Sequence, residues 1–211
     1  MTPTTPYRTF DFSKITGTAI YHLMTAAIVP RPIAFVSSIN PDGILNLAPF
    51  SFFNGVSSNP PCLVFSITRK ADGTKKDTLL NIEANGEFVV NSTHEWLAEK
   101  INQCSAEYPY GVSELDKVGF TATPSIHIKP PRIQESLVQM ECRLETLVHI
   151  GDGSVGSASL VVGRILEMHV AEAAMTNDRI DTLKLKPLSR LGGIQWGKTT
   201  EVFEQKRPTV K

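Results

Sequence analysis

Residues 137–150 alternate more regularly than any other stretch: Val138, Met140, Cys142 and Leu144 fall on one face of an extended chain, Gln139, Glu141, Arg143 and Glu145 on the other. Strand side chains point to opposite faces with a period of two, so the pattern predicts a strand with one buried and one wet face. Gly151-Asp152-Gly153 turns the chain, and residues 157–170 return as a long partner. This hairpin commits the protein to an antiparallel meander or barrel. With 211 residues one domain can bury a full core. An N-terminal arm over residues 1–18 and a single domain over residues 19–211 are expected.

Upstream, Ile20, Leu23, Met24, Ala27 and Ile28 recur at helical spacing over residues 19–29, and Pro30 and Pro32 stop that helix. Residues 33–39 are an apolar run suited to a largely buried strand, Asn40-Pro41-Asp42-Gly43 is turn chemistry, and residues 44–53 complete a hairpin. Pro49 removes a ladder donor, which places it at an edge or bulge whose backbone faces something other than a strand. Asn59-Pro60-Pro61 turns the chain again into the apolar run 62–67. Asp77 is the expected N-cap of a helix over 78–85, with Leu79, Leu80 and Ile82 as its apolar stripe and Gly86 as its stop. A strand over 87–92 follows, and Thr93 is placed as the cap of a helix carrying Trp96, Leu97 and Ile101.

Twenty-one basic residues balance twenty-one acidic ones, so no overall field concentrates nucleic acid or an anionic membrane surface. No run approaches the ~20 apolar residues that span a bilayer, and residues 1–11 lack the pattern of an export signal. The three cysteines, Cys62, Cys104 and Cys142, follow no disulfide or zinc spacing. A cytoplasmic protein is expected. The five histidines show no ligand spacing, and no serine sits in a G-x-S-x-G elbow. No metal site and no catalytic dyad are expected.

Two phosphate-loop patterns fail on context. Residues 151–156 satisfy G-x-G-x-x-G, but a strand follows where the motif needs a helix N-terminus. Residues 192–199 satisfy G-x-x-x-x-G-K-[ST], yet only twelve residues remain for the helix and strands that motif requires. The cluster Arg69, Lys70, Lys75 and Lys76 ahead of a helix start is the better anion candidate, because backbone N–H groups, the helix dipole and the Thr78 hydroxyl lie beside the lysines. A solvated basic loop is the plain alternative. Between the flanking strands, Phe50, Phe52 and Phe53 suit a core, whereas Ser51 and Asn54 suit hydrogen bonding to the heteroatoms of a flat ring.

Six ordered blocks carry a family resemblance: Arg31-Pro32-Ile33-Ala34-Phe35-Val36-Ser37-Ser38, Asn46-Leu47-Ala48-Pro49-Phe50-Ser51-Phe52-Phe53-Asn54, Asn59-Pro60-Pro61, Lys76-Asp77-Thr78-Leu79, Pro130-Pro131-Arg132 and Pro187-Leu188-Ser189-Arg190-Leu191-Gly192-Gly193. In these the chain resembles the flavin reductase-like family of flavoredoxins and monooxygenase reductase components. The resemblance implies a mainly β fold with peripheral helices, a six-stranded Greek-key FMN-binding split β-barrel, and a homodimer with FMN near the subunit interface. Carried over block by block, Ser37 and Ser38 would lie along the ribityl chain and ring edge. Ala48, Pro49, Phe50, Ser51, Phe52 and Asn54 would face the isoalloxazine; Lys76 and Thr78 would hold the phosphate with Arg69 as a helper and Asp77 beside them, its carboxylate turned inward as the cap; and Arg190 would approach the substrate side.

The implied activity is that of an NAD(P)H-dependent flavin reductase, an oxidoreductase in which NADH or NADPH gives hydride to flavin N5 and a partner, such as a monooxygenase, takes the electrons. Hydride transfer needs no protein acid or base, in keeping with a binding constellation that lacks a dyad. The alternatives are an FMN-binding electron carrier or flavin store without its own NAD(P)H site, and a barrel that has lost its cofactor and serves as an interaction module.

Overall fold

The computed structural model describes residues 5–210; the first four residues of the expected arm, and Lys211, lie outside them. Helix α1 (Gly17–Ala27) begins where the Thr16 hydroxyl accepts the Ala19 N–H at 3.3 Å. Its start lies two residues before the apolar spacing indicates, because the cap and not the first apolar side chain sets it. Then come β1 (Arg31–Pro32), β2 (Ala34–Ile39), β3 (Leu45–Phe50), β4 (Phe53–Ser58), β5 (Pro61–Thr68), α2 (Asp77–Asn85) and β6 (Glu87–Asn91). A 3-10 turn (Glu95–Leu97) leads into α3 (Ala98–Gln103), α4 (Glu114–Val118), β7 (Ala122–Thr123) and β8 (Arg132–Ile133). The long pair β9 (Val138–Ile150) and β10 (Ala158–Val170) is followed by β11 (Met175–Thr176), β12 (Arg179–Ile180), α5 (Thr182–Leu185), β13 (Leu188–Arg190) and β14 (Trp196–Lys198).

The main sheet is antiparallel and runs β3-β2-β6-β9-β10-β5-β4. Its two edges, β3 and β4, are consecutive in the chain with only Ser51-Phe52 between them. The sheet therefore curls until its edges meet at that bend, where the Phe52 carbonyl accepts the Ser66 N–H at 2.9 Å. This is the split barrel, with seven strands where six are expected, because the bend divides residues 45–58 into two. Pro49 lies on edge strand β3, as its missing N–H requires.

Strand β2 is buried on both faces. Ala34 and Val36 join the barrel interior with Phe50, Phe65, Phe88 and Cys142, and helix α2 closes that core with Leu79 and Ile82. Phe35 and Ile33 point outward into a second core with Leu47, Ile101, Phe120 and Ile133. Each such side chain contributes roughly 1.5–3 kcal/mol by leaving water.

The wet face expected for β9 is corrected over its first half. Glu141 is fully buried and Gln139 nearly so, since residues 124–132 cross that face. Glu141 accepts the Ile126 and His127 N–H groups, each at 2.8 Å, and His169 Nε2 at 2.9 Å. Burial alone would raise its pKa, but these donors together hold it below the usual carboxylate value. The expected cap at Thr93 also shifts, to His94 ahead of the 3-10 turn. Residues 151–156 form the β9–β10 turn and residues 192–195 the turn between β13 and β14, so neither glycine pattern opens a helix.

Candidate functional site

Strand β3 reaches the sheet edge with one side unpaired, and helix α2 packs across its start. The Asn46 Nδ2 donates to the Thr78 Oγ1 at 2.7 Å, both residues buried. That bond fixes the N-terminus of α2 against β3. The N-cap is Lys76 and not Asp77: Lys76 has extended backbone angles and its carbonyl accepts the Leu79 and Leu80 N–H groups. Asp77 is the first helical residue, and its carboxylate meets the Lys70 Nζ at 2.7 Å.

The basic cluster thereby resolves. Lys70 is paired with Asp77 and Lys75 with Glu83, both at 2.7 Å, whereas among the described residues Lys76 has neither an ion pair nor a hydrogen-bond partner for its ammonium. It lines a cleft of ≈ 70 Å³ with Asn46, Ala48, Pro49, Phe50, Asp77 and Thr78, walled on the far side by Cys104, Ser105, Ala106, Glu107 and Tyr108. Burial lowers the Lys76 pKa from its ordinary value, only partly offset by Glu107. A half-buried cation without a partner, a hydroxyl and the free N–H groups of a helix start converge here, which is the donor set of an anion site. Glu114 also lines this cleft and accepts the Leu47 N–H at 2.9 Å; burial raises its pKa, so its proton is held more firmly than usual.

A second, wider cleft of ≈ 370 Å³ adjoins the first, with Pro49 and Ser105 lining both. Its walls come from α1 (Tyr21, His22, Thr25), β1 (Arg31), the bend (Ser51) and the β13–β14 hairpin (Arg190, Gly193, Ile194, Trp196). Together they make one trough along the β3 edge. From Asn46 to Ser51 its floor runs about 17 Å, at roughly 3.4 Å per strand residue. Arg190 stacks over Trp196, its guanidinium carbon 4.9 Å from the ring centre, and donates to the Gly193 carbonyl at 2.7 Å. Gly192 sits against α1, where a Cβ would lie 3.3 Å from the Ala26 Cα.

Of the residues expected at the site, the trough brings together Ala48, Pro49, Phe50, Ser51, Lys76, Asp77, Thr78 and Arg190. Five lie outside it. Ser37 is fully buried, donating to the Pro131 carbonyl at 2.6 Å and accepting from Asn91; Ser38 is equally buried and accepts from Asn81. Phe52 packs edge-on to Tyr21. Asn54 is exposed on β4, accepting its neighbour's N–H, and Arg69 lies beside the β9–β10 turn, its Nη2 3.7 Å from where a Gly153 Cβ would be. Arg31 carries more of the site than sequence reasoning assigned it. A basic residue wedged between prolines at the mouth of a largely buried strand was the signal for a buried cation. Tyr21, His22, Ser105 and Trp196 are brought in by folding alone.

The flavin reductase like domain matches residues 25–184. An uncharacterized protein of Halalkalibacterium halodurans is 40% identical over 191 residues, 90% of this chain and 91% of that protein. The crystal structure of nitrilotriacetate monooxygenase component B from Bacillus cereus superposes with a TM-score of 0.91 at 37% identity, covering 96% of this chain and 100% of the other. That of a 2-nitrobenzoate 2-nitroreductase from Pseudomonas fluorescens gives 0.85 at 33% identity, covering 96% and 97%.

Proposed function

Because this chain belongs to the flavin reductase like domain family and is thereby a flavin-related oxidoreductase, we propose that it binds FMN along the trough and works as an NAD(P)H-dependent reductase. The observation that carries this is the unpaired Lys76 ammonium at one end of a cleft that continues, past Pro49, into a wide pocket edged by Ser51. The residues fit the cofactor: a floor of about 17 Å accommodates phosphate, ribityl chain and tricyclic ring laid end to end. Lys76, the Thr78 hydroxyl and the first N–H groups of α2 hold the phosphate. Asp77 is kept from repelling it by its pairing with Lys70.

Bound there, FMN would supply the redox chemistry, as a two-electron hydride acceptor for the nicotinamide of NADH or NADPH. Ser51 orients the ring edge, and Tyr21, Ile194 and Trp196 wall that end of the trough and limit water. No side chain need move a proton in the hydride step. Arg190, on the open hairpin, faces the incoming nucleotide or electron acceptor, and a partner such as a monooxygenase takes the electrons, as the likeness to a monooxygenase component supports. A homodimer accounts for the exposed Val148, Ile150 and Met168 on the long β9–β10 pair. The three free, buried cysteines suit a reducing cytoplasm, and among the described residues no helix is long and apolar enough to cross a membrane.

The test is anaerobic. The purified protein is loaded with FMN, freed of excess by gel filtration, and mixed with NADH or NADPH. Bleaching of the yellow absorbance by either nucleotide is expected. Colour that persists with both, but is lost on adding a separate reductase, would make the protein an electron carrier instead.

A further inference from the structure

The charged side chains lining the ring end of the trough are all basic: Arg31, Arg190 and, when protonated, His22. Tyr21 is the other titratable group there, and no carboxylate lines this end among the described residues. At the phosphate end, by contrast, Asp77, Glu107 and Glu114 stand beside the lysines. Arg31 is only 4% exposed, and its guanidinium makes no ion pair among the described residues. Its N–H groups donate to neutral acceptors instead. Nη1 serves the carbonyls of Thr25 and, at 2.8 Å, Ile28; Nη2 serves the Leu191 carbonyl at 2.9 Å; Nε meets the Ser51 Oγ at 3.4 Å.

Burial lowers the Arg31 pKa, with Arg190 adding to it against Tyr21, yet a guanidinium stays charged in proteins. A buried charge faced only by carbonyl dipoles, a hydroxyl and, 5.8 Å away, the Phe52 ring is an expensive arrangement, and a carboxylate alongside would relieve it. None is there among the described residues. The Nε–H contact also occupies a lone pair of Ser51, leaving the hydroxyl proton free to point into the trough.

We infer that Arg31, acting through its charge and through Ser51, makes the site bind the reduced, anionic flavin ring more tightly than the oxidised, neutral one. This rests on the FMN assignment above. Taking up a hydride, two electrons and one proton, turns a neutral ring into an anion, and a fixed buried cation stabilises that product and not the starting form. Arg31 is thus a positioning residue that sets the flavin's potential.

The experiment is a spectroelectrochemical titration of the FMN-loaded protein beside free FMN, from pH 5 to 9. The bound midpoint is expected at least ~30 mV above that of free FMN, the two-electron equivalent of tenfold tighter binding of the reduced form. The slope should also change from ~59 to ~30 mV per pH unit, one proton fewer per two electrons, at a lower pH than in free FMN. Arg31→Gln should abolish both shifts. If that variant fails to fold, 1 M NaCl takes its place: salt screens the contribution of accessible Arg190 and His22 but spares a buried charge. A bound midpoint at or below that of free FMN, an unmoved change of slope, or shifts lost in salt or kept in Arg31→Gln would overturn the assignment to Arg31. Failure of the unmodified protein to take up FMN would instead refute the FMN assignment, and this inference with it.

Discussion

Asp77 closes its carboxylate on Lys70 at 2.7 Å and not on Lys76, its neighbour in the chain. The choice follows from helix geometry. With Lys76 as the extended cap and Asp77 in the first turn of α2, the two side chains leave the backbone in different directions. The acid satisfies the loop lysine, and the cap lysine keeps its charge for the trough. One carboxylate therefore both secures the loop before α2 and avoids neutralising the cation that an anionic ligand needs.

Removing that cation should weaken FMN binding far more than removing its neighbour. A hydrogen bond to a charged group contributes about 1.5–3 kcal/mol, so Lys76→Met is expected to raise the Kd for FMN roughly tenfold to a hundredfold. Lys75→Met removes the pairing with Glu83 (2.7 Å) on the half-exposed side of the helix and should change Kd less than about twofold. Quenching of flavin fluorescence measures both. Equal effects would return the cluster to a solvated basic loop.

Glu114 lines the same cleft as Lys76 and is held by burial with a raised pKa, while its acceptor role toward the Leu47 N–H is structural. Glu114→Gln keeps an acceptor oxygen and removes the charge. Since the folded-state pKa lies above the ordinary 4.5, wild type loses stability as pH rises from that value through the folded pKa, and the loss then stays constant. The variant escapes it. Urea midpoints should coincide near pH 4 and favour Glu114→Gln at pH 8, where FMN binding should also tighten. A variant less stable at pH 8 would show the charge to be compensated by groups other than the Leu47 N–H.

The extent to which the sequence forecasts these features depends on the range of the contacts involved. The alternation of β9 and the Pro49 edge were legible because a strand's period and a missing N–H are local properties. Glu141 was misjudged as wet because what buries it, residues 124–132, leaves no mark on the period of β9. Lys75 and Lys76 look alike until Glu83, a full eight residues on, claims one of them. Arg31 draws its meaning from Leu191, 160 residues away, beyond the reach of any local pattern. Ser37 and Ser38 were expected at the ligand on the family's blocks, but in this fold β2 is buried on both faces and their hydroxyls serve Pro131, Asn91 and Asn81.

His94 should make the protein acid-sensitive. It is fully buried, its Nδ1 bonded to the Leu185 carbonyl at 2.6 Å and its Nε2 accepting the Leu137 N–H at 2.9 Å, with the ring stacked on Trp96. The Leu137 bond requires an unprotonated Nε2, and burial lowers the pKa below the ordinary 6.5, only partly opposed by the bond to the Leu185 carbonyl. The unfolded chain therefore binds a proton that the folded one resists. Stability is full above pH 6.5 and declines as pH falls from there toward the folded pKa. His94→Phe should flatten that decline and lower stability on the order of 3 kcal/mol at pH 7.5, by leaving a buried carbonyl and N–H without partners. Thermal unfolding at several pH values, read beside the wild type, checks both; an unchanged acid slope in the variant would assign it to another group.

Gly163 and Phe88 occupy one another's space across the barrel. At the irregularity between Val162 and Gly163 on β10, a Cβ on Gly163 would lie 2.3 Å from the Phe88 Cζ, and Phe88 is fully buried with its ring edge-on to Phe65 at 5.4 Å. The ring has nowhere to retreat, so Gly163→Ala should destabilise by about 2 kcal/mol through overpacking, a drop in Tm of roughly 4–8 °C for a chain of this size. Phe88→Leu withdraws the atom that collides, although it leaves a small void of its own. The double variant should therefore lose at least ~1 kcal/mol less than the sum of the two single losses. Strict additivity would mean that the glycine is needed for the backbone of the bulge and not for the ring that covers it.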